Sequence, residues 1–383
     1  MLRPIAESRA PMTNDLTVHV NLQDRSYDIV ITSNRLAETG ASIQGWFAQR
    51  YAGHAGTRKA LVVADQNSAI YGGVVGSSLE ACGWVVKPAR VAAGEPSKSL
   101  EMLGRLLDQM VEFKADRQTL VVAVGGGVMG DLAGFVAATY ARGVPFVQVP
   151  TTLLADVDSS VGGKVGINHA AAKNMIGAFH QPLGVFIDTD VLRTLSDREY
   201  RAGLAEIIKY GVILDAEFFG YLEAHVEGIN QREPAVLRHM IARSCQLKAN
   251  VVEHDEFERT GLRAVLNYGH TFGHAFEALS GYGELLHGEA VAIGMPYASR
   301  LAERLGRIDS SVTARQEALL EAVGLPIRLP AASQFSTDAV LDKMRLDKKT
   351  VGGQLRFVLP TRMGHVETVK DVSELLVREV LES

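Results

Sequence analysis

Cysteine is scarce in this chain, which has only Cys82 and Cys245 among its 383 residues. The two lie far apart in sequence and match no zinc-binding spacing, and so small a number excludes a fold that depends on disulfides. Both are therefore expected to be unpaired structural thiols in a reducing compartment.

Long apolar runs and an excess of basic charge are also missing. No run approaches the roughly 20 residues that cross a bilayer, and the first residues lack the apolar segment of a secretory signal. The net charge is −5, which favours neither nucleic acid nor an anionic membrane as a partner. We expect a cytoplasmic protein in which residues 1–14 form a polar extension.

The pattern that is present is that of an α/β fold. In residues 15–190 short apolar runs alternate with helical patterns, which is typical of a mostly parallel sheet with helices on both faces. Alternation at residues 18–31 predicts an opening hairpin. Beyond residue 190 helical patterns dominate, and residues 355–359 could rejoin a sheet. Because a chain of this length favours two domains, we predict a Rossmann-like domain at 15–190 and a mainly helical domain at 191–383.

The candidate metal ligands begin with three histidines. His270, His274 and His287 fall within 18 residues of a chain that has 11 histidines. The first two are four residues apart in a helical pattern and share one helix face, while His287 opens the next helical run after a glycine-rich turn. Clustered neutral imidazoles suit Zn²⁺ or a similar ion, although an isolated pair at this spacing is more often structural.

A carboxylate in an apolar helix strengthens the metal hypothesis. Glu206 and Lys209 are three residues apart in the apolar run 203–214, where little exposed face is left for either. A buried carboxylate needs a cation or a metal beside it. Glu206 with two of the three histidines would form a His₂Glu set with open coordination positions; this reasoning leaves open which two.

A glycine loop predicts a nucleotide site. Gly125, Gly127 and Gly130 satisfy G-x-G-x-x-G between a strand and a helix, where backbone N–H groups suit a pyrophosphate. The usual acidic ribose ligand about 20 residues further on is missing, although Asp65 ends an earlier strand. A tight turn with no ligand is the alternative reading. With a second strand-to-helix loop at 94–98, the chain favours a dinucleotide in a non-standard variant of this fold.

A cationic segment follows the next strand. Residues 158–164 are rich in glycine and serine and end at Lys164, and His169, Lys173 and Asn174 come soon after. Backbone donors and ammonium groups in such a loop could hold an oxyanion. A solvated loop with incidental lysines is the other interpretation.

Taken together, these segments resemble the 3-dehydroquinate synthase family of the sugar-phosphate cyclases. The resemblance runs in family order over about residues 15–370. Its motifs are 94–98, 125–131, 150–154, 158–164, 203–211, 267–274 and 286–289. It implies a dehydroquinate synthase-like fold, in which a Rossmann-like domain precedes a helical one.

The resemblance also implies the cofactors and the reaction. One Zn²⁺ or Co²⁺ would be held by Glu206, His270 and His287, and His274 would contact substrate instead. The implied reaction converts 3-deoxy-D-arabino-heptulosonate 7-phosphate to 3-dehydroquinate and phosphate in the shikimate pathway. It proceeds by transient oxidation with NAD⁺, phosphate elimination, re-reduction and intramolecular aldol closure.

Roles for further residues follow from the same resemblance. NAD⁺ would contact Asp65, Asn67, Glu95, Lys98, Gly126, Gly127, Val128, Asp131, Thr151, Thr152, Lys164 and Lys173. The substrate would contact Asp158, Asn174, Lys248, Arg263 and, in preference to Lys349, Lys348. The implied catalytic residues are Lys164, Lys209, Asn267 and His274. In a homodimer, Arg142 would reach the neighbouring subunit's substrate.

Three other functions are compatible with parts of this pattern. A cyclase acting on glucose 6-phosphate or sedoheptulose 7-phosphate would meet no carboxylate, which the basic pair Lys248 and Arg263 argues against. A metal- and NAD-dependent polyol dehydrogenase would accumulate NADH. A non-catalytic nucleotide-binding protein would have no use for the three metal-ligating residue types.

Overall fold

The computed structural model describes residues 15–53, 56–170, 172–281, 284–330, 335–348 and 355–382, and only the backbone of 346–348. It divides into two compact units. The first contains the described residues up to Leu195 together with Leu237–Phe257, and the second contains Ser196–Val236 and the described residues from Glu258 onwards. None of the described helices is long and apolar enough to span a membrane.

The first unit contains a seven-stranded sheet. Its strands are β1 (Leu16–Val20), β2 (Tyr27–Thr32), β3 (Lys59–Asp65), β4 (Val85–Val91), β5 (Leu120–Gly125), β6 (Phe146–Pro150) and β9 (Gly184–Asp188). They lie in the order β1-β2-β9-β6-β5-β3-β4. β1 and β2 pair antiparallel and every other neighbouring pair is parallel, which confirms the predicted hairpin and mostly parallel sheet. Its helices are α1 (Thr39–Arg50), α2 (Ala69–Ala81), α3 (Leu100–Glu112) and α4 (Gly127–Thr139).

The alternation of side chains along β5 explains why helices cover both faces of the sheet. Val121 and Ala123 point into a core cluster with residues of α3 and α4. Leu120, Val122 and Val124 point into another cluster with residues of α1 and α2. Since successive side chains of a strand lie on opposite faces, a strand buried on both sides has to be apolar throughout.

A separate hairpin follows the predicted loop. A π-helical turn at Ala155–Ser159 leads to β7 (Lys164–His169), which pairs antiparallel with β8 (Ala172–Phe179). Only Val165 and Ile167 of β7 point into the core, so the apolar alternation is short. The predicted loop at 158–164 therefore ends where β7 begins, and His169, Lys173 and Asn174 lie on a hairpin that the sequence analysis did not predict.

The second unit is built mainly of helices. They are α5 (Asp197–Leu214), α6 (Ala216–Ala224), α7 (Val226–Asn230), α9 (His270–Leu279), α10 (His287–Arg304), α11 (Ser310–Ala322), α12 (Thr337–Lys348) and α13 (Glu374–Leu381). β10 (Arg356–Arg362) pairs with β11 (His365–Lys370) as a sheet of its own. The segment predicted to rejoin a sheet therefore does not join the large one.

The predicted domain boundaries differ from this division at one helix. α8 (Pro234–His254) falls within the sequence range predicted for a continuous second domain, yet its residues from Leu237 onwards group with the first unit. Cys245 of α8 donates its thiol proton to the backbone carbonyl of Asp156 at 3.2 Å, and Lys248 pairs with Asp158. Helical periodicity shows that α8 exists but not which unit its buried face packs on.

Candidate active site

Glu206, His270 and His287 form a cluster in the second unit. Glu206 lies in the middle of α5, while His270 and His287 are the first residues of α9 and α10. The Oε1 atom of Glu206 lies 3.7 Å from Nε2 of His270 and 3.5 Å from Nε2 of His287, and one ligand atom from each residue lies within 4.8 Å of the others. Ligands around a tetrahedral ion with bonds of about 2.1 Å are roughly 3.4 Å apart.

The carboxylate of Glu206 fits the requirements of a metal ligand. Its side chain is 0% exposed, and its Oε1 atom faces the imidazoles of His270 and His287. The ammonium of Lys209 pairs with Oε2. A buried carboxylate whose Oε1 atom faces two imidazoles is a donor set that suits Zn²⁺ or Co²⁺.

Close contacts between helices position the three donors. A Cβ atom at Gly288 would collide with the backbone of Ala202, so α10 approaches α5 directly beside His287. A Cβ atom at Gly273 would lie 2.8 Å from the carbonyl oxygen of Ala290, which brings α9 equally close to α10. Only glycine allows backbones to approach to this extent, and the starts of α9 and α10 are therefore fixed relative to α5.

The charges of the cluster depend on one another. Burial opposes ionisation of Glu206, but the Lys209 ammonium and the two histidines outweigh it and hold the pKa of the carboxyl well below its usual range. Burial, followed by the charge of Lys209, lowers the pKa of His270 to about 3. Burial also opposes the charging of His287, yet Glu206 and Glu277 raise its pKa to about 9.

Each histidine also has a partner at its other ring nitrogen. Nδ1 of His270 lies 3.0 Å from the carbonyl oxygen of Tyr268, and Nδ1 of His287 lies 3.5 Å from Oε2 of Glu277. The sequence analysis missed Glu277. It follows His270 by seven residues and His274 by three, so the spacing of one helix face could have indicated it.

The other predicted residues of the second unit lie on or near these elements. The exposed His274 has its ring centroid 5.2 Å from that of His270 and 6.0 Å from that of His287. Arg263 is buried and pairs with Glu258 at 3.5 Å. Asn267 is exposed and ends the 3₁₀ helix Leu262–Asn267. Lys348 is the last residue of α12, but its side chain and Lys349 lie outside the described residues.

The glycine loop of the first unit lies at the carboxyl edge of the sheet. β6, β5 and β3 are neighbours, so Thr151, Gly126 and Asp65 follow or end adjacent parallel strands. A Cβ atom at Gly126 would lie 3.1 Å from Cγ2 of Thr152, and α4 begins at Gly127. Loops at this edge, with backbone N–H groups at a helix start, are where nucleotides bind in open parallel sheets.

Asp65 accepts three hydrogen bonds from its own loop. The backbone N–H groups of Asn67 and Ser68 donate to Oδ1 at 3.0 and 2.8 Å, and the Ser68 hydroxyl donates at 2.7 Å. The same hydroxyl lies 2.9 Å from the carbonyl oxygen of Val124. Ser68, which the sequence analysis did not single out, therefore ties the Asp65 loop to the strand that enters the glycine loop.

A polar network gathers several predicted residues around Lys98. Its buried ammonium donates to Asp131 at 2.7 Å and to Asn174 at 2.5 Å, and it lies 3.6 Å from Glu95. Burial raises the pKa of Asp131, an effect that the Lys98 charge opposes. Asn168, which the sequence analysis missed, donates to Glu95 at 2.7 Å and accepts from the backbone of Asn174 at 2.8 Å.

The remaining predicted residues of the first unit are more dispersed. Lys248 of α8 is buried and donates to the side chain and the carbonyl of Asp158, both at 2.6 Å. Lys164 is exposed at the start of β7, and Lys173 lies on β8. Arg142 is exposed after α4, in a short run of positive φ angles of 49° at Ala141, 69° at Arg142 and 117° at Gly143.

Comparison with known proteins decides the family. Residues 88–202 match the model of the 3-dehydroquinate synthase N-terminal domain, and residues 203–350 match that of the C-terminal domain. A protein of Desulforamulus reducens named 3-dehydroquinate synthase is 50% identical over 366 residues, which cover 95% of this chain and 99% of that protein. The chain belongs to the 3-dehydroquinate synthase family.

Solved structures extend this family assignment to the fold. The 2-epi-5-epi-valiolone synthase of Streptomyces hygroscopicus, solved with NAD⁺ and Zn²⁺ bound, superposes with a TM-score of 0.81 at 29% identity, covering 93% of this chain and 96% of that one. A 2-deoxy-scyllo-inosose synthase complexed with carbaglucose-6-phosphate, NAD⁺ and Co²⁺ gives 0.82 at 26% identity, covering 95% and 99%. Both the resemblance to the family and the predicted fold class are confirmed.

Proposed function

We propose that this member of the family is a 3-dehydroquinate synthase of the shikimate pathway, which supplies precursors of aromatic amino acids. It would convert 3-deoxy-D-arabino-heptulosonate 7-phosphate to 3-dehydroquinate and phosphate with NAD⁺ and one Zn²⁺ or Co²⁺. The observation that carries this proposal is the cluster of Glu206, His270 and His287, in a chain half identical to a relative of that name.

The metal would be held by Glu206, His270 and His287. When bound, the ion supplies Lewis-acid stabilisation of a deprotonated hydroxyl, and NAD⁺ supplies a reversible hydride acceptor. Lys209 keeps Glu206 ionised through their buried pair. The low pKa of His270 keeps its imidazole neutral, the form in which a histidine binds a metal ion.

The substrate is a polyhydroxy acid that carries a carboxylate and a phosphate. In the second unit Arg263 is the proposed partner of the carboxylate, because its side chain is only 4% exposed and a guanidinium binds a carboxylate through two parallel hydrogen bonds. Lys209, Asn267 and His274 are the proposed catalytic residues of this unit. His274 is supported by its exposed ring beside the two histidines of the cluster.

In the first unit the proposed substrate residues are Asp158, Lys164, Asn174 and Lys248. The buried Lys248 is already paired with the half-buried Asp158. This pair would fix the direction in which each side chain offers its remaining hydrogen bonds to the substrate. Lys348 remains a proposed phosphate ligand from sequence alone.

NAD⁺ is the proposed ligand of the carboxyl edge of the sheet. The network of Glu95, Lys98 and Asp131 and the loop at Gly126 support this assignment. The further proposed contacts are Asp65, Asn67, Gly127, Val128, Thr151, Thr152, Lys164 and Lys173. The proposed assembly is a cytoplasmic homodimer in which Arg142 reaches the neighbouring subunit.

The test is to incubate metal-loaded protein with NAD⁺ and 3-deoxy-D-arabino-heptulosonate 7-phosphate while phosphate release and NADH absorbance are followed together. Stoichiometric phosphate with no lasting NADH is expected. Accumulating NADH would assign the protein to the dehydrogenases. Metal binding without either signal would direct the same assay to glucose 6-phosphate and sedoheptulose 7-phosphate.

A further inference from the structure

His287 lies between two carboxylates, and only one of them belongs to the proposed metal set. Its Nε2 atom is 3.5 Å from Oε1 of Glu206 and its Nδ1 atom is 3.5 Å from Oε2 of Glu277. We infer that Glu277 is a positioning residue, which holds the His287 ring with Nδ1 protonated and Nε2 directed at the metal. This inference rests on the metal set of the proposed function.

The chemistry of imidazole explains why a carboxylate at this place matters. A metal ion displaces the proton from the ring nitrogen that it binds, so the coordinated ring carries its one remaining proton on the other nitrogen. An acceptor at Nδ1 keeps the proton there and leaves the lone pair at Nε2. Partners of this kind also fix the ring orientation and raise the basicity of the ligand.

Comparison with His270 indicates why His287 needs a side-chain partner. The His270 side chain is 11% exposed, and the carbonyl of Tyr268, two residues earlier in the chain, accepts from its Nδ1 at 3.0 Å. The Tyr268 hydroxyl is itself held by Gln316 at 2.7 Å. The His287 side chain is 35% exposed, so packing restricts the rotation of its ring less. A contact with Glu277 therefore contributes more to the orientation of the ring.

The same helix that carries one ligand carries the group that orients another. Glu277 lies two turns after His270 in α9, and Gly273, midway between them, gives α9 its close approach to α10. The Glu277 side chain is 15% exposed, which limits solvent screening of its charge. A distortion of the α9–α10 contact would therefore disturb two ligands together.

The test measures metal binding in the absence of substrate. The variants are Glu277→Gln and Glu277→Ala, and Glu321→Gln, at an exposed position of α11, is the matched control. Dissociation constants for Zn²⁺ and Co²⁺ are measured by chelator competition, and the visible absorption of bound Co²⁺ reports the ligand geometry. Circular dichroism verifies that each variant is folded.

We expect the metal to bind about 10- to 100-fold more weakly to Glu277→Ala, with a changed Co²⁺ spectrum. Glu277→Gln should lose less, because its amide oxygen still accepts a hydrogen bond from Nδ1, and the control should match the wild type. Since Glu277→Gln preserves size and polarity, it keeps the test decisive if Glu277→Ala fails to fold.

Dissociation constants of the folded Glu277 variants within twofold of the wild-type values, with an unchanged Co²⁺ spectrum, would overturn the inference whatever the rate of turnover. A wild-type protein that bound neither ion would overturn it together with the metal part of the proposed function. Weakened binding in the variants supports the inference even where the wild type releases no phosphate, a result that would count against the proposed function alone.

Discussion

Glu206 of the second unit and Asp156 of the first are both fully buried acids, yet their environments push their pKa values in opposite directions. Both Asp156 oxygens lack a hydrogen-bond partner among the residues that the structure describes, whereas the Lys209 ammonium pairs with Oε2 of Glu206. Lys209, His270 and His287 hold the pKa of Glu206 well below its usual range against the effect of burial. Burial, and then the charge of Asp188, raises the pKa of Asp156 well above it.

The difference shows that burial alone does not identify a metal ligand. Both acids are buried carboxylates. Of the two, only Glu206 has a cation that keeps it ionised and two imidazoles whose nitrogens lie close enough to bind the same ion. A metal requires the deprotonated form of its ligands. The surroundings of a carboxyl group therefore separate a candidate ligand from a neutral core acid.

The largest expected effect comes from removing His287, one of the proposed metal ligands beside Glu206. His287→Ala should abolish both metal retention and turnover, because two ligands remain from a set of three. The checks are the metal content of the purified protein and phosphate release with NAD⁺ present. Full metal content and rate in this variant would show that His287 is not a ligand.

The next effect comes from removing the cation beside Glu206, which leaves it with surroundings closer to those of Asp156. Lys209→Met removes the ammonium and leaves a buried carboxylate that has lost its nearest cation, which should cost about 3–5 kcal/mol of unfolding free energy in the metal-free protein. Added Zn²⁺ should restore part of this loss, since the ion replaces the missing charge. Urea unfolding with and without Zn²⁺ measures both.

Lys87→Met is the matched control, because Lys87 pairs with the exposed Glu112 at 3.2 Å and surface pairs contribute at most about 1 kcal/mol. Equal losses in the two variants would mean that the Lys209 charge has no special role.

A smaller effect tests how the helices bring ligands to Glu206. Gly288→Ala adds a methyl group where the Ala202 backbone lies, so α10 must shift away from α5. Such overpacking costs about 1–3 kcal/mol, and the shift should weaken Zn²⁺ binding as well. Gly220→Ala in α6, where a Cβ atom meets nothing within 4 Å, should instead gain up to about 1 kcal/mol. Weakened Zn²⁺ binding in both variants would argue against this packing role.

Gly288 also illustrates what the sequence could and could not predict. Apolar runs and helical periodicity predicted the parallel sheet and most helices, because those patterns arise within single elements. The approach of α10 to α5 depends on residues more than 80 positions apart, and nothing local in the chain marks it. The β7–β8 hairpin was missed because Val165 and Ile167 are its only buried residues in the core cluster, while Ile176 and Ala178 pack against that cluster and stay partly exposed.

The residues of the candidate site also differ in how far the sequence could predict them. Residue type and spacing indicated a His₂Glu set, but the choice of His287 over His274 came from the family resemblance and not from periodicity. Glu277 and Asn168 contact the side chains of other predicted site residues, and no motif contained them. Such supporting groups become visible only when the folded chain brings their partners within a few ångströms.

The last effect, the smallest when it is counted per pH unit, concerns Asp156. Its folded-state pKa lies above the ordinary value of 3.8, so its contribution to stability is fully present below that value and is lost as the pH rises towards the folded-state pKa. Asp156→Asn removes this dependence. The stability of the variant relative to the wild type should therefore increase by up to about 1.4 kcal/mol per pH unit within that window.

Urea unfolding at pH 4, 5, 6 and 7 measures the slope. A difference that stays constant with pH would mean that Asp156 titrates alike in the folded and unfolded chain, and the contrast with Glu206 would then rest on the cations around Glu206 alone.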